Sequence, residues 1–231
     1  MKKISINNKK WVFGKNIPQH FDVHILKSVP LYKESHDLIL DLISFFSKEN
    51  FIFYDIGCST GSLLSKIQNK LIEKNSKYIG IDIEKSMIAY AKKKNKYKNI
   101  SFIHADIAKY KLKKCDLVSS FYTLQFIEAT KRQLVVNKIF DSLNINGSFI
   151  LFEKVRASDA IFQDIAIANY NEFKIRNGFS KKEIFDKSRS LRGVLNPFTT
   201  KKNIAMLKKA GFANVEIVMK YNCFEGYLAI K

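Results

Sequence analysis

Three carboxylates stand at the ends of three successive apolar runs. Asp55 opens Asp55-Ile56-Gly57-Cys58-Ser59-Thr60-Gly61 directly after the run that begins at Phe51; Asp82 closes Tyr78-Ile79-Gly80-Ile81; Asp106 follows Ile100-Ser101-Phe102-Ile103-His104 by one residue. Gly57 and Gly61 allow a ligand to approach backbone that a side chain would otherwise cover. An acidic residue roughly 20 positions past such a loop accepts hydrogen bonds from ribose hydroxyls, the place that Asp82 holds. Asp106 stands where an adenine amino group would be met. The constellation suits an adenosine that carries a cationic tail, because carboxylates favour a positive charge beside them.

Rival chemistries fit less well. A dinucleotide fold wants G-x-G-x-x-G for close approach of a pyrophosphate, but the middle glycine here is Ser59 and the spacing is Gly57-x-x-x-Gly61. The same residues spell G-x-S-x-G, a nucleophile elbow, whose triad needs a histidine after both serine and acid. The last histidine is His104, so that order fails. A purely structural turn at Gly57 and Gly61 leaves the acids at the next two strand ends unexplained.

The elements that must hold these residues follow from hydrophobic period. Leu38, Ile39, Leu42, Ile43 and Phe46 recur at helical spacing within 34–48. Strands are expected at 51–56, 78–82, 100–104, 117–121 and 147–152, with helices through about Leu71, over 85–94 and over 131–143. The alternation predicts βαβ units, hence an α/β, mostly parallel, doubly wound sheet. Helices at 158–176 and 181–191 form an insertion within 155–195. A helix over 200–210 and a hairpin of 214–219 with 227–230 complete the chain. Residues 1–10 look like a basic tail and 11–32, with Trp11, Phe13 and Phe21, like an irregular apolar cap. No linker marks a second domain, so 1–231 is expected to be one domain.

At 231 residues and 46% hydrophobic the composition is that of a globular protein. No apolar run reaches the roughly 18–20 residues that span a bilayer, and polar residues from Asn7 to Lys10 interrupt any signal peptide; the expected place is the cytoplasm, with no membrane partner. Cys58, Cys115 and Cys223 form no CxxC pair, and His20, His24, His36 and His104 no firm ligand set, so no metal is expected. The net charge of +19 raises nucleic acid as a partner. All but five of the 40 basic residues are lysine, however, and arginine is the usual choice for bidentate phosphate and base contacts. Nucleic acid is therefore not the expected partner.

The residues also carry a resemblance. Asp-x-Gly-Cys-Ser at 55–59, Trp11-x-Phe13, Ile25-x-Lys27-Ser28-Val29-Pro30-x-Tyr32, Thr123-Leu124-Gln125-Phe126 and Asn177-Gly178-Phe179-Ser180 resemble carboxy-S-adenosylmethionine synthases from about Trp11 to the C-terminus. That resemblance implies a Rossmann-like class I methyltransferase fold, S-adenosylmethionine as cofactor or substrate, and a homodimer formed through the insertion. The family uses prephenate as carboxyl donor: a sulfonium-methyl proton is abstracted and the ylide captures the carbon dioxide released, giving a product used in modifying a tRNA wobble uridine. Carried over by position, Tyr32, Gly57, Cys58, Ser59, Asp82, Asp106 and Ile107 would contact the nucleoside, with Gly61 shaping the loop. Tyr32 facing the sulfonium would contribute about 1–2 kcal/mol by a cation–π contact.

Three positions depart from the family. Ile83 and Phe121 replace asparagines that contact the cofactor, and Ser188 stands where the family has the arginine, supplied by a neighbouring subunit, that grips the new carboxylate. Arg189 is one position later, a turn of about 100° on a helix, and Arg192 is four later. Tyr122, Tyr170, Arg189 and Arg192 are the candidate substrate contacts. A second reading therefore stays open: a divergent enzyme acting on unmodified S-adenosylmethionine, as a small-molecule methyltransferase or by closing a ring in the aminobutyrate chain. A third, of another class, is an RNA methyltransferase or RNA-binding protein using the lysine-rich surface.

Overall fold

The computed structural model describes residues 18–70 and 75–231. Trp11, Phe13, the basic tail and Leu71 lie outside them. Seven strands form one sheet in the order β3-β2-β1-β4-β5-β7-β6. They are β1 (Ile52–Ile56), β2 (Lys77–Asp82), β3 (Ile100–His104), β4 (Cys115–Phe121), β5 (Leu143–Lys154), β6 (Asn214–Tyr221) and β7 (Phe224–Ile230). The first five pair in parallel, and β7 runs antiparallel between β5 and β6. The reversal of strand order at β1 and β4 is a topological switch point, where open α/β sheets bind ligands beyond the carboxyl ends of their strands.

Among the described residues eight α-helices flank the sheet: α1 (Pro18–Ser28), α2 (Tyr32–Phe46), α3 (Ser62–Lys70), α4 (Lys85–Lys94), α5 (Ala129–Ser142), α6 (Ala160–Arg176), α7 (Lys181–Ser190) and α8 (Thr200–Ala210). Alternation along β1 sends Phe53 into the core under α2, α3 and α4, and Tyr54 and Ile56 into the opposite core under α5 and α8. Burial on both faces is why the central strands read as unbroken apolar runs. Ser180 and Glu183 form a reciprocal capping box at the start of α7, and Gly211, with φ 116°, ends α8.

Two differences from the sequence reading matter for the site. Residues 18–28, expected to be irregular, form helix α1. Its inward side faces a cavity instead of a core, so polar His24 and Ser28 share that side with Phe21 and Ile25 and blur the apolar period. Strand β5 begins at Leu143, before the expected 147. A register shift between Cys115 and Leu117 lets its pairing with β4 resume beyond the turn-like Asn146-Gly147.

Candidate functional site

The carboxyl ends of β1, β2, β4 and β5 open into a cavity of about 1070 Å³ roofed by α1, α6 and α7. The loop after β1 is wound tightly: Gly57, Ser59 and Gly61 have φ of 75°, 48° and 72°. Backbone N–H groups of Gly57 and Cys58 donate to the Ile81 carbonyl at 2.7 and 3.1 Å, tying the loop to β2. A side chain at Gly57 would put its Cβ 2.0 Å from Thr123 Oγ1, and one at Gly61 2.7 Å from the Phe102 ring. The sequence thus places glycine where a left-handed backbone coincides with the close approach of the β4 loop, at Gly57, and of β3, at Gly61.

Asp82 joins the loop to the next strand end. Its Oδ2 accepts from the Ser59 N–H at 2.8 Å and its Oδ1 from the Glu84 N–H at 2.8 Å. Burial raises the Asp82 pKa, while the backbone donors and His104 work against that rise. Asp55 is buried, accepts from Ser119 Oγ at 2.7 Å, and is pushed up to about 7, first by burial, with the Ser119 bond opposing and Asp82 adding. Half-buried Asp106 accepts from the Ala108 N–H at 2.9 Å, which shapes the loop after β3.

At the other end of the loop an aromatic wall forms. The Tyr32 ring lies 4.4 Å from His36 and 5.3 Å from Phe121, and Phe121 lies 4.6 Å from Tyr122. Buried His36 is held neutral, its pKa lowered to about 3 by burial and then by Lys66. Tyr170 of α6 donates from its hydroxyl to the Ser28 carbonyl at 2.7 Å, closing the insertion onto α1, and its ring meets Phe224 at 5.1 Å.

The cavity lining includes Tyr32, Gly57, Cys58, Ser59, Asp82, Ile83, Asp106, Ile107, Phe121, Tyr122, Tyr170 and Arg192. Gly61 is buried behind the loop and Arg189 does not line the cavity; its exposed guanidinium lies 5.7 Å from the centroid of the Phe185 ring. The turn of α7 carries Arg189 outward from the cavity of its own chain. Ser188, at the position where the family arginine would stand, does line the cavity.

Sequence reasoning missed several residues. Gln125, within the Thr-Leu-Gln-Phe run, donates to the Tyr122 carbonyl at 3.1 Å and accepts from the Lys154 N–H at 3.1 Å, fastening the ends of β4 and β5. His24, His36, Lys154, Lys174 and Lys187 also line the cavity. The helical period marks His36 only as part of a core-facing side of α2, and nothing in a lysine-rich chain distinguishes the three lysines. Among the described residues no cluster of three or more His, Cys, Asp or Glu side chains is arranged to hold a metal ion. Among the same residues no helix is long and apolar enough to cross a membrane.

Comparison with known proteins bears on this geometry. Residues 47–211 match a family described as a methyltransferase domain. The chain is 38% identical over 229 residues to a carboxy-S-adenosyl-L-methionine synthase from Staphylococcus epidermidis, covering 99% of this chain and 100% of that protein. It is 36% identical over 225 residues to one from Campylobacter jejuni, covering 96% and 95%. Among solved structures, human N-acetylserotonin methyltransferase in complex with S-adenosylmethionine superposes with a TM-score of 0.64 at 16% identity, over 94% of this chain and 56% of that one. A carbon methyltransferase, CurJ, superposes with a TM-score of 0.65 at 15% identity, over 92% and 58%. These structural likenesses establish the fold.

Proposed function

The chain belongs to the carboxy-S-adenosyl-L-methionine synthase family, a branch of the methyltransferase fold, and we propose that it carboxylates the methyl group of S-adenosylmethionine with prephenate as carboxyl donor. The observation that carries this reading is the full-length match to named synthases, joined to a cavity whose acids stand at successive strand ends. Asp82 would accept from the ribose hydroxyls and Asp106 meet the adenine, with Ile83 and Ile107 against its faces. The Gly57–Ser59 backbone would receive the methionine portion, and the Tyr32 and Phe121 rings would face the sulfonium, a contact of about 1–2 kcal/mol when desolvated.

The bond broken is a C–H of the sulfonium methyl, and the bond formed joins that carbon to the carbon dioxide that prephenate releases. Hydroxide lost from prephenate in the same decarboxylation takes the proton as water, so atoms and charge balance without a side-chain base. The chain's work is then orientation and exclusion of bulk water, which the aromatic wall and the α1 and α6 roof are built to do. A homodimer is part of the proposal. Every one of the 17 residues of α6 keeps some exposure, and Ile161 and Phe162 are 70% and 66% exposed. Apolar side chains grouped this way mark an interaction face.

Ile83, Phe121 and Ser188 support a second reading, in which unmodified S-adenosylmethionine is cyclised or gives its methyl to a small acceptor. Mass spectrometry of the nucleoside that co-purifies with the recombinant protein separates the two. Carboxy-S-adenosylmethionine is expected; S-adenosylmethionine, its demethylated product or methylthioadenosine alone would overturn the first reading in favour of the second.

A further inference from the structure

Helix α1 is tied down on two flanks. Asp22 and His24 are two positions apart, about 200° around the helix axis, so they leave α1 in opposite directions. On one flank Asp22 Oδ1 accepts from Thr60 Oγ1 at 2.5 Å and Oδ2 from Lys94 Nζ at 2.9 Å, reaching the loop after β1 and the end of α4. On the other flank Lys187 of α7 donates to His24 Nε2, and the His24 ring meets Phe179 at 5.3 Å. Burial, followed by the Lys187 charge, holds that imidazole at about 4, hence neutral and able to accept, while the Glu183 carboxylate works the other way. At the last residue of α1 the Ser28 carbonyl takes the Tyr170 hydroxyl of α6. Helix α1 therefore spans the cavity roof from loop 57–61 to the insertion.

Thr60 is the point where the roof grips the loop. It is fully buried and stands between Ser59 and Gly61, both left-handed, with φ of 48° and 72°. A left-handed serine is strained and persists only where its surroundings over-determine it. Asp82 holds the Ser59 N–H from β2, and Asp22 holds the next residue from the roof. The shape of the loop and the seat of α1 are thus set together. A loop out of shape withdraws the Thr60 hydroxyl from Asp22, and an unseated α1 leaves a buried hydroxyl without this acceptor. The Lys94 pair adds little, because its side chains are 39% and 32% exposed and solvent screens them.

We propose that Asp22 is a positioning residue: acting through Thr60, it joins loop 57–61 to α1, so that a nucleoside seated on the loop also orders α7 across the cavity. The inference rests on S-adenosylmethionine binding at that loop and is independent of whether its methyl group is then carboxylated. A ligand that stabilises the loop in this shape also stabilises the seated α1, and reciprocity requires the seated roof to tighten the ligand. The roof is then firmest when the loop is loaded, which is when water must be kept from the sulfonium.

Amide hydrogen exchange with and without saturating S-adenosylmethionine tests the coupling without requiring turnover. In the parent the nucleoside is expected to slow exchange at 57–61 and also in α7, there by at least about fivefold, the low end of a typical coupling between sites. Thr60→Val keeps the shape of the side chain and removes the hydroxyl; Asp22→Leu removes its acceptor. In both variants the nucleoside should still slow exchange at 57–61, while its effect in α7 falls below about twofold. Asp22→Asn keeps an oxygen for Thr60 and should respond as the parent does, and so should Lys94→Met. If Asp22 only anchors α1, Asp22→Leu melts lower but Thr60→Val keeps the full response in α7, and that result overturns the proposal. Loss of the response in Lys94→Met overturns it too, by assigning the effect to the ion pair, as does a loaded parent whose α7 exchange is unchanged. A parent that binds no S-adenosylmethionine sinks both this coupling and the proposed reaction. A protein that shows the coupling yet yields no carboxylated nucleoside keeps the role of Asp22 and sinks the reaction alone.

Discussion

A single carboxylate, that of Asp82, fixes both sides of the proposed nucleoside end: one oxygen takes the Ser59 N–H of the β1 loop, the other the Glu84 N–H at the start of α4. Asparagine has nearly the same shape but only one acceptor, so Asp82→Asn must present an amine to one of these two donors. It also removes the charge that would strengthen the ribose contacts, an effect of about 1.5–3 kcal/mol for a hydrogen bond to a charged group. Calorimetric titration should therefore show S-adenosylmethionine affinity lower by roughly tenfold to a hundredfold in this variant, and undiminished affinity would remove Asp82 from the nucleoside site. Asp55, Asp82 and Asp106 were legible in the sequence because an acid at the end of an apolar strand is rare and the fold brings consecutive strand ends together. Lys154, Lys174 and Lys187 were not. Each is one of 40 basic residues, and only the packing of α6 and α7 against β5 distinguishes them from solvated charge.

The junction between α2 and β4 depends on a neutral imidazole. His36 packs 4.4 Å from the Tyr32 ring and 4.8 Å from Phe121, and burial lowers its pKa to about 3. In the unfolded chain a histidine takes its proton near pH 6.5, so between about 6.5 and 3 the unfolded state binds a proton that the folded state refuses. Stability from this group is present above 6.5 and is lost as pH falls, at up to about 1.4 kcal/mol per pH unit. Asp55, raised to about 7, acts with the opposite sign, so the parent alone does not isolate the histidine. Urea unfolding at pH 7 and pH 5 should show a smaller loss in His36→Phe than in the parent; identical losses would mean that the imidazole is not the source. Elements were read from sequence with similar selectivity. Helix α4 and strand β3 appear over the expected residues, because a clean period and polar flanks mark both. Helix α1 escaped because its inner side lines a cavity and need not be apolar throughout, and the start of β5 escaped because Asn146-Gly147 looks like the end of a loop.

At the scale of the molecule, a net charge of +19 has to be reconciled with the proposed dimer. Two copies with this charge repel, and the repulsion between exposed groups fades once the Debye length falls to about 10 Å at 0.1 M salt. The attraction must come from apolar area, and α6 offers it in Ile161, Phe162 and Ile165, which are 70, 66 and 50% exposed, with Phe185 of neighbouring α7 at 59%. Arg189 extends from α7, exposed and not lining the cavity of its own chain. The dimer should thus tighten as salt is raised, the reverse of a lysine surface holding RNA, where salt weakens binding steeply. Sedimentation equilibrium of Ile161→Glu/Phe162→Glu should give monomers at concentrations where the parent is dimeric. The proposed nucleoside site, built at the ends of β1, β2 and β3 far from these two side chains in sequence, should keep its S-adenosylmethionine affinity in that variant. If the doubly substituted protein sediments with the parent, α6 is not the contact, and the exposed face of the insertion must be explained by another partner.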